Sequence, residues 1–236
     1  MEKIKVSEPI LIKFASFKRA KSFRSGTIYM NSLQYFRDLE NDNKVRKDIF
    51  EGTHGLIAKD DFNEILPQLG IRFSEKEKNA IIGGMPLISE ELKYYKVFCM
   101  YKLNCDFSNR YIEPIERGIN CFGDTFVLIL NFEEFRRRII AELEKGKYNV
   151  LGFAGDNVEY YQCNASTQKL GPFKKTYSYS WQNEYRIVAE PIEPTLEPLI
   201  LNIGNISDIS IIGSTKKLIE EIHFEDKEIY IPGYNI

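Results

Sequence analysis

SYSWQNEYRIVAE, residues 178–190, contains the only tryptophan of the chain, Trp181. From that residue the pattern has period two. Trp181, Asn183, Tyr185 and Ile187 fall on one side, and Gln182, Glu184, Arg186 and Val188 on the other. This is the signature of an extended strand, in which alternate side chains share a face. An amide, a carboxylate and a guanidinium then line one face beside a large aromatic. That face reads in two ways: as the polar floor of a pocket, or as a solvated strand surface on which Glu184 and Arg186 form an ordinary charge pair.

Other strands lie to either side of this stretch. EPILIKFAS (8–16) and TIYMNS (27–32) read as the first two, separated by the basic helical segment FKRAKSFRSG, which Gly26 ends. LQYFRDLEN (33–41) follows as a helical turn. The polar, glycine-punctuated loop NDNKVRKDIFEGTHG (41–55) carries Arg46, Asp48, Glu51 and His54. KVFCMYKL (96–103) reads as a buried strand. FGDTFVLILN (122–131) is the most continuous apolar run of strand type, and FEEFRRRIIAELEKG (132–146) has helical spacing with Gly146 as its stop. YNVLGFAGDNVEYYQC (148–163) reads as one or two strands around a GFAGDN turn. Further strands are expected near 199–204, near 207–214 and at the C-terminal end. The region 59–93, broken by Pro67, Gly70, Gly83, Gly84 and Pro86, reads as a peripheral helical insertion. The expected architecture is a single α+β domain over 1–236, a mixed or antiparallel sheet flanked by a few helices.

Composition excludes several function classes. A formal net charge of -2 provides no global field for nucleic acid, although a local basic patch such as Arg136–Arg138 remains open to one. No stretch has the uninterrupted apolar length of a membrane-spanning helix, and the start has no signal-peptide layout. A cytoplasmic protein without a membrane partner is expected. Cys99, Cys105, Cys121 and Cys163 form no CxxC pair, which suits free thiols. His54 and His223 lack metal-ligand or triad spacing, and neither GxGxxG nor GxxxxGK[ST] occurs.

The longer motifs carry a resemblance. GTIYMNSLQYFR (26–37), R-x-D-x-x-E-G from Arg46, FGDTFVLILNFEEF (122–135), W-x-x-E-x-R from Trp181 and ILNIGNISDISIIG (200–213) occur in that order. The chain resembles a group of poorly characterised bacterial domains of mobile elements and phage defence. The resemblance spans most of the chain outside 59–93. Gln182-Asn183-Glu184 is also similar to the Q-x-E of ADP-ribosyltransferases. This second resemblance implies an ADP-ribosyltransferase-like fold, NAD as donor and Glu184 with Gln182 as catalytic pair. It further implies NAD contacts from Lys13, Arg19, Tyr29, Ser32, Tyr35, Arg46 and Arg186. The first strand carries Lys13 where that superfamily has Arg or His, and no S-T-S strand occurs. The acceptor would be a macromolecule, RNA or protein, and a toxin or defence effector implies an antitoxin or chaperone partner. No metal is implied.

A carboxylate near the ribose stabilises the positive charge that develops as the nicotinamide–ribose bond breaks. On this reading Glu184→Gln is expected to stop transfer while sparing the fold, and Trp181 is expected to be buried inside the sheet. Two other readings stand beside it. One is a non-catalytic module binding nucleic acid or a partner through its aromatics and Arg136–Arg138. The other is a Mg²⁺-dependent nuclease-like effector with Asp48, Glu51 and Glu184 around the ion.

Overall fold

The computed structural model describes residues 8–38, 50, 52–81, 84–162, 166–225 and 228–232. In chain order, β1 (Ile10–Ala15), α1 (Phe17–Arg24), β2 (Thr27–Ser32) and α2 (Leu33–Asp38) come first. β3 (Thr53–Ile57), α3 (Phe62–Gln68), α4 (Glu75–Ala80) and β4 (Met85–Ile88) follow. Next are β5 (Lys96–Leu103), β6 (Cys105–Asp106), β7 (Tyr111–Ile112), β8 (Thr125–Ile129) and α5 (Phe132–Leu143). Then come β9 (Val150–Asn157), β10 (Glu159–Tyr161), β11 (Gln168–Lys169), β12 (Lys174–Thr176) and β13 (Glu184–Pro191). The chain continues through β14 (Leu199–Asn202), β15 (Ser210–Ser214), α6 (Thr215–Glu221), β16 (His223–Glu225) and β17 (Glu228–Tyr230). The class is α+β. Among the described residues no helix is long and apolar enough to cross a membrane.

One eight-stranded sheet organises these elements, and its pairs are all antiparallel. Its order is β14-β2-β5-β1-β8-β15, with β13 on the other edge of β5 and β9 beyond it. β5 is the pivot. β13 pairs with its residues 96–101 on one edge. On the opposite edge β2 takes only Lys96 and Val97, and β1 only Tyr101 to Leu103. These registers leave Phe98, Cys99 and Met100 without a strand partner between them, so β1 and β2 splay apart. An unpaired strand carbonyl away from water is costly. Here Lys13 reaches into the opening and its ammonium donates to the Cys99 carbonyl at 2.6 Å.

The two faces of β13 have opposite character. Tyr185, Ile187 and Ala189 enter the main apolar core, where Phe132, Phe135 and Ile139 of α5 pack on them. Asn131 caps that helix by accepting from the Glu134 amide at 3.0 Å, which orients its apolar stripe toward the sheet. Glu184 and Arg186 point to the other face.

The strand begins later than its sequence pattern predicts. Tyr177–Gln182 form a 3₁₀ helix, and Asn183 takes a left-handed conformation with φ of 37°, so neither Trp181 nor Gln182 is a strand residue. Asn183 suits that conformation better than a bulky residue does. Its side-chain amide donates to the Lys102 carbonyl and its backbone carbonyl accepts from the Lys102 backbone N–H, which ties the turn to β5. Trp181 is accordingly only half-buried. It lies 6.0 Å from Phe122 and over Gly118, where an added Cβ would come within 3.1 Å of the indole. Trp181→Ala should therefore cost about 2 kcal/mol in urea denaturation, roughly half of what a fully buried Trp loses.

The expected GFAGDN turn is also absent, because β9 runs straight through it. The second of its two glycines, Gly155, serves close packing rather than reversal. A Cβ on Gly155 would sit 2.7 Å from the Tyr185 hydroxyl of the neighbouring strand. Residues 59–93 hold α3, α4 and β4, and the last of these pairs with β3 in a separate three-stranded sheet with β11. Ile57, Phe62 and Leu66 form the small core under it.

Candidate functional site

The opening between β1 and β2 is a cavity of about 450 Å³, within the range of about 300–1,000 Å³ usual for small-molecule sites. Phe98 to Met100 of β5 line it between the two strands, and Arg19 and Phe23 of α1 approach from one side. Tyr29 and Tyr35 stand at the mouth, 50% and 43% exposed. Among the described residues four cations line the cavity, Lys13, Arg19, Lys175 and Arg186, against one carboxylate, that of Glu184. That is a net of +3 on a chain whose formal net charge is -2.

Glu184 and Arg186 are 7% and 1% exposed, so the face they share is buried and not solvated. Arg186 grips the carboxylate with two groups, Nε at 3.0 Å from Oε1 and Nη2 at 3.2 Å from Oε2. Its remaining nitrogen, Nη1, donates to the Pro172 carbonyl. Lys175, 5% exposed, donates to Glu184 Oε2 at 3.2 Å and to Gln182 Oε1 at 2.9 Å. The left-handed turn at Asn183 is what lets Gln182 and Glu184 meet one ammonium although only one of them is in the strand. The Glu184 amide donates to the Tyr160 hydroxyl at 2.9 Å, which fixes the start of β13 from the far side.

Burial alone would push the Glu184 carboxyl up. The charges of Arg186 and Lys175 outweigh it and hold the group well below the usual carboxylate range. It is ionised at every physiological pH. Cys99, directly opposite Arg186 in the register, responds the other way. Burial, aided by the Glu184 charge, pushes its thiol up to about 12, so it stays protonated.

Of the residues expected to contact NAD, Lys13, Arg19, Tyr29, Tyr35 and Arg186 line this cavity, together with Gln182 and Glu184. Ser32 does not. It is buried, and its hydroxyl accepts from the Tyr35 amide at 3.2 Å, a cap on the first turn of α2. Arg46, Asp48 and Glu51 lie outside the described residues, as does Cys163. Lys175 is the cavity residue that sequence reasoning passes over. It stands in a KK pair read as a loop, and only the short strand β12 separates the two fates. Lys174 turns out toward Glu159 at 3.3 Å, and its neighbour turns in. Three residues of sequence are too few to reveal that alternation.

Arg136–Arg138 are not a free basic patch. Arg136 binds Glu133 at 2.8 Å, Arg137 and Arg138 each bind Glu134 at 2.7 Å, and Arg138 also binds Asp208. The nuclease arrangement likewise lacks support from Glu184, because two cations on its carboxylate oppose a divalent ion there. No protein-family model, curated protein or solved structure matches the chain.

Proposed function

We propose that the chain is an ADP-ribosyltransferase that takes NAD in the cavity between β1 and β2. One observation carries this reading. A buried carboxylate, Glu184, sits in a cavity that is otherwise cationic and has aromatic walls. Such a cavity selects a ligand with both phosphates and flat rings, and a carboxylate at its floor suits a reaction in which positive charge develops on a sugar. The Q-x-E spelling of Gln182-Asn183-Glu184 agrees with it.

Arg19 and Lys13 are the cations placed to hold the pyrophosphate, and Tyr29 or Tyr35 to stack a ring. NAD would supply the ADP-ribosyl group. The part of this chain is to bind it, to exclude water and to keep a negative charge at Glu184 by the two-cation clamp. Gln182, held by the same Lys175, is placed to orient the acceptor. An acceptor of RNA or protein, a toxin or phage-defence role and an antitoxin or chaperone partner rest on the resemblance alone.

The test is titration calorimetry with NAD, followed by release of nicotinamide from NAD offered with cell RNA and protein. Binding with release is expected. A wild-type protein that neither binds NAD nor releases nicotinamide overturns the proposal.

A further inference from the structure

The charges at the cavity floor do not cancel. Arg186 holds Glu184 through Nε at 3.0 Å and Nη2 at 3.2 Å, and Lys175 holds it through Nζ at 3.2 Å. Two cations on one carboxylate leave this group at +1. Lys13 and Arg19, also in the wall, match the charge of the donor's pyrophosphate. The excess positive charge therefore stays at the floor, beside the ribose that would react. A reaction that develops positive charge needs net negative charge next to it. Glu184 supplies part of that charge, and its own clamp opposes it. An anionic nucleophile makes up the difference, which water or an alcohol cannot do.

Proton accounting points the same way. Glu184 is held well below the usual carboxylate range and takes up no proton at neutral pH. Among the described residues no other carboxylate and no histidine lines the cavity, and the Cys99 thiol stays protonated. An alcohol, an ammonium or a guanidinium has to give up a proton before it attacks, and the last two are also repelled by the excess positive charge. A carboxylate or a phosphate attacks as it stands.

The mouth distinguishes those two. Tyr29 of β2 is paired across strands with Ile200 of β14, and each is 50% exposed. Their neighbours Ile28 and Leu201 are fully buried in the core on the opposite face. Tyr29 and Ile200 therefore form an apolar shelf beside the opening. An aliphatic side chain offers nothing to a sugar–phosphate chain. It suits an apolar residue that flanks an acidic one in a protein.

We propose that the acceptor is a side-chain carboxylate of a protein segment, with an apolar neighbour seated on Tyr29 and Ile200. The proposal rests on the ADP-ribosyltransferase reading and names the group that receives the label. In the transfer a carboxylate oxygen bonds to the ribose carbon that carries nicotinamide. The ribose–nitrogen bond breaks, its electron pair returns to the pyridinium ring, and nicotinamide leaves neutral. No proton moves, and the product is an ester.

The experiment offers NAD, labelled in its adenylate half, with a capped peptide that holds one glutamate between two leucines. Matched peptides carry glutamine, serine or arginine in place of the glutamate, and a 5′-phosphorylated single strand of DNA is run beside them. The glutamate peptide should take label at least about tenfold faster than the others and should speed nicotinamide release. Neutral hydroxylamine, which cleaves carboxylic esters, should remove that label. Ile200→Ser should raise the KM for the glutamate peptide about tenfold with kcat within about twofold, the signature of a lost docking contact. A thermal melt shows that this exposed substitution leaves the fold intact. Label on a matched peptide or on the DNA at the level of the glutamate peptide, a hydroxylamine-resistant link, or nicotinamide release with no labelled peptide would each overturn the carboxylate proposal and leave the NAD reading standing. An unchanged KM in Ile200→Ser overturns the shelf. Absence of both NAD binding and nicotinamide release overturns the two readings together.

Discussion

Glu184→Gln should destabilise the protein by about 3–5 kcal/mol, the usual loss when one partner is removed from a buried ion pair. The swap is nearly isosteric, so volume is not the cause. Arg186 and Lys175 would remain buried, at 1% and 5% exposure, and each would lose the charge of Glu184. An amide oxygen replaces two charge-assisted acceptors, and its NH₂ faces two donors. For a chain of 236 residues the melting temperature should fall by about 2–4 °C for each kcal/mol. This revises the expectation that the variant spares the fold, which holds only for an exposed carboxylate. Lys175→Met in the same background should recover part of the loss by deleting one of the two cations that lost that charge. The pH dependence has a definite sign. The folded-state pKa of Glu184 lies below its ordinary value of 4.5. Its stabilisation is therefore complete above that value and lost as pH falls through the folded pKa. The gap between wild type and variant should be full at neutral pH and narrow only in acid below about pH 4.5. A variant within about 1 kcal/mol of wild type at pH 7 would show that the clamp contributes nothing.

The sheet was legible where apolar runs are long. KVFCMYKL, TFVLI and the α5 stripe need burial on a definite face, and no other arrangement gives it. The face of Glu184 and Arg186 was legible as a face but not as an interior, because period two does not say whether water or protein lies opposite. The clamp required Lys175, which comes from a three-residue strand paired in parallel with β10. Pairing between segments so short is settled by tertiary contacts, not by propensity. Trp181 was misplaced for a local reason. The alternation holds from Glu184 onward, and its extension back across Asn183 assumed a backbone that the left-handed residue breaks. The opening between β1 and β2 follows from registers on β5, and those are invisible without the sheet.

The catalytic reading is best tested by a substitution that keeps the charge. Glu184→Asp leaves Arg186 and Lys175 a carboxylate partner, so the fold should survive, but it withdraws the oxygens by one methylene. Electrostatic stabilisation of a developing charge depends on placement, and a displacement of about 1 Å can cost about a hundredfold. Nicotinamide release should therefore fall about 100- to 1,000-fold, equivalent to about 2.7–4 kcal/mol of transition-state stabilisation. On the proposed reading Arg19 and Lys13 hold the phosphates, so NAD affinity should change little. Gln182→Ala should behave differently. It removes one acceptor from Lys175 and leaves Glu184 gripped by Arg186, so release of nicotinamide should persist while transfer to the acceptor changes. The measurements are single-turnover nicotinamide release and acceptor labelling, with calorimetry for NAD, on wild type and both variants. If Glu184→Asp folds, binds NAD and releases nicotinamide at the wild-type rate, the carboxylate serves the fold alone, and the cavity binds its ligand without carrying out chemistry on it.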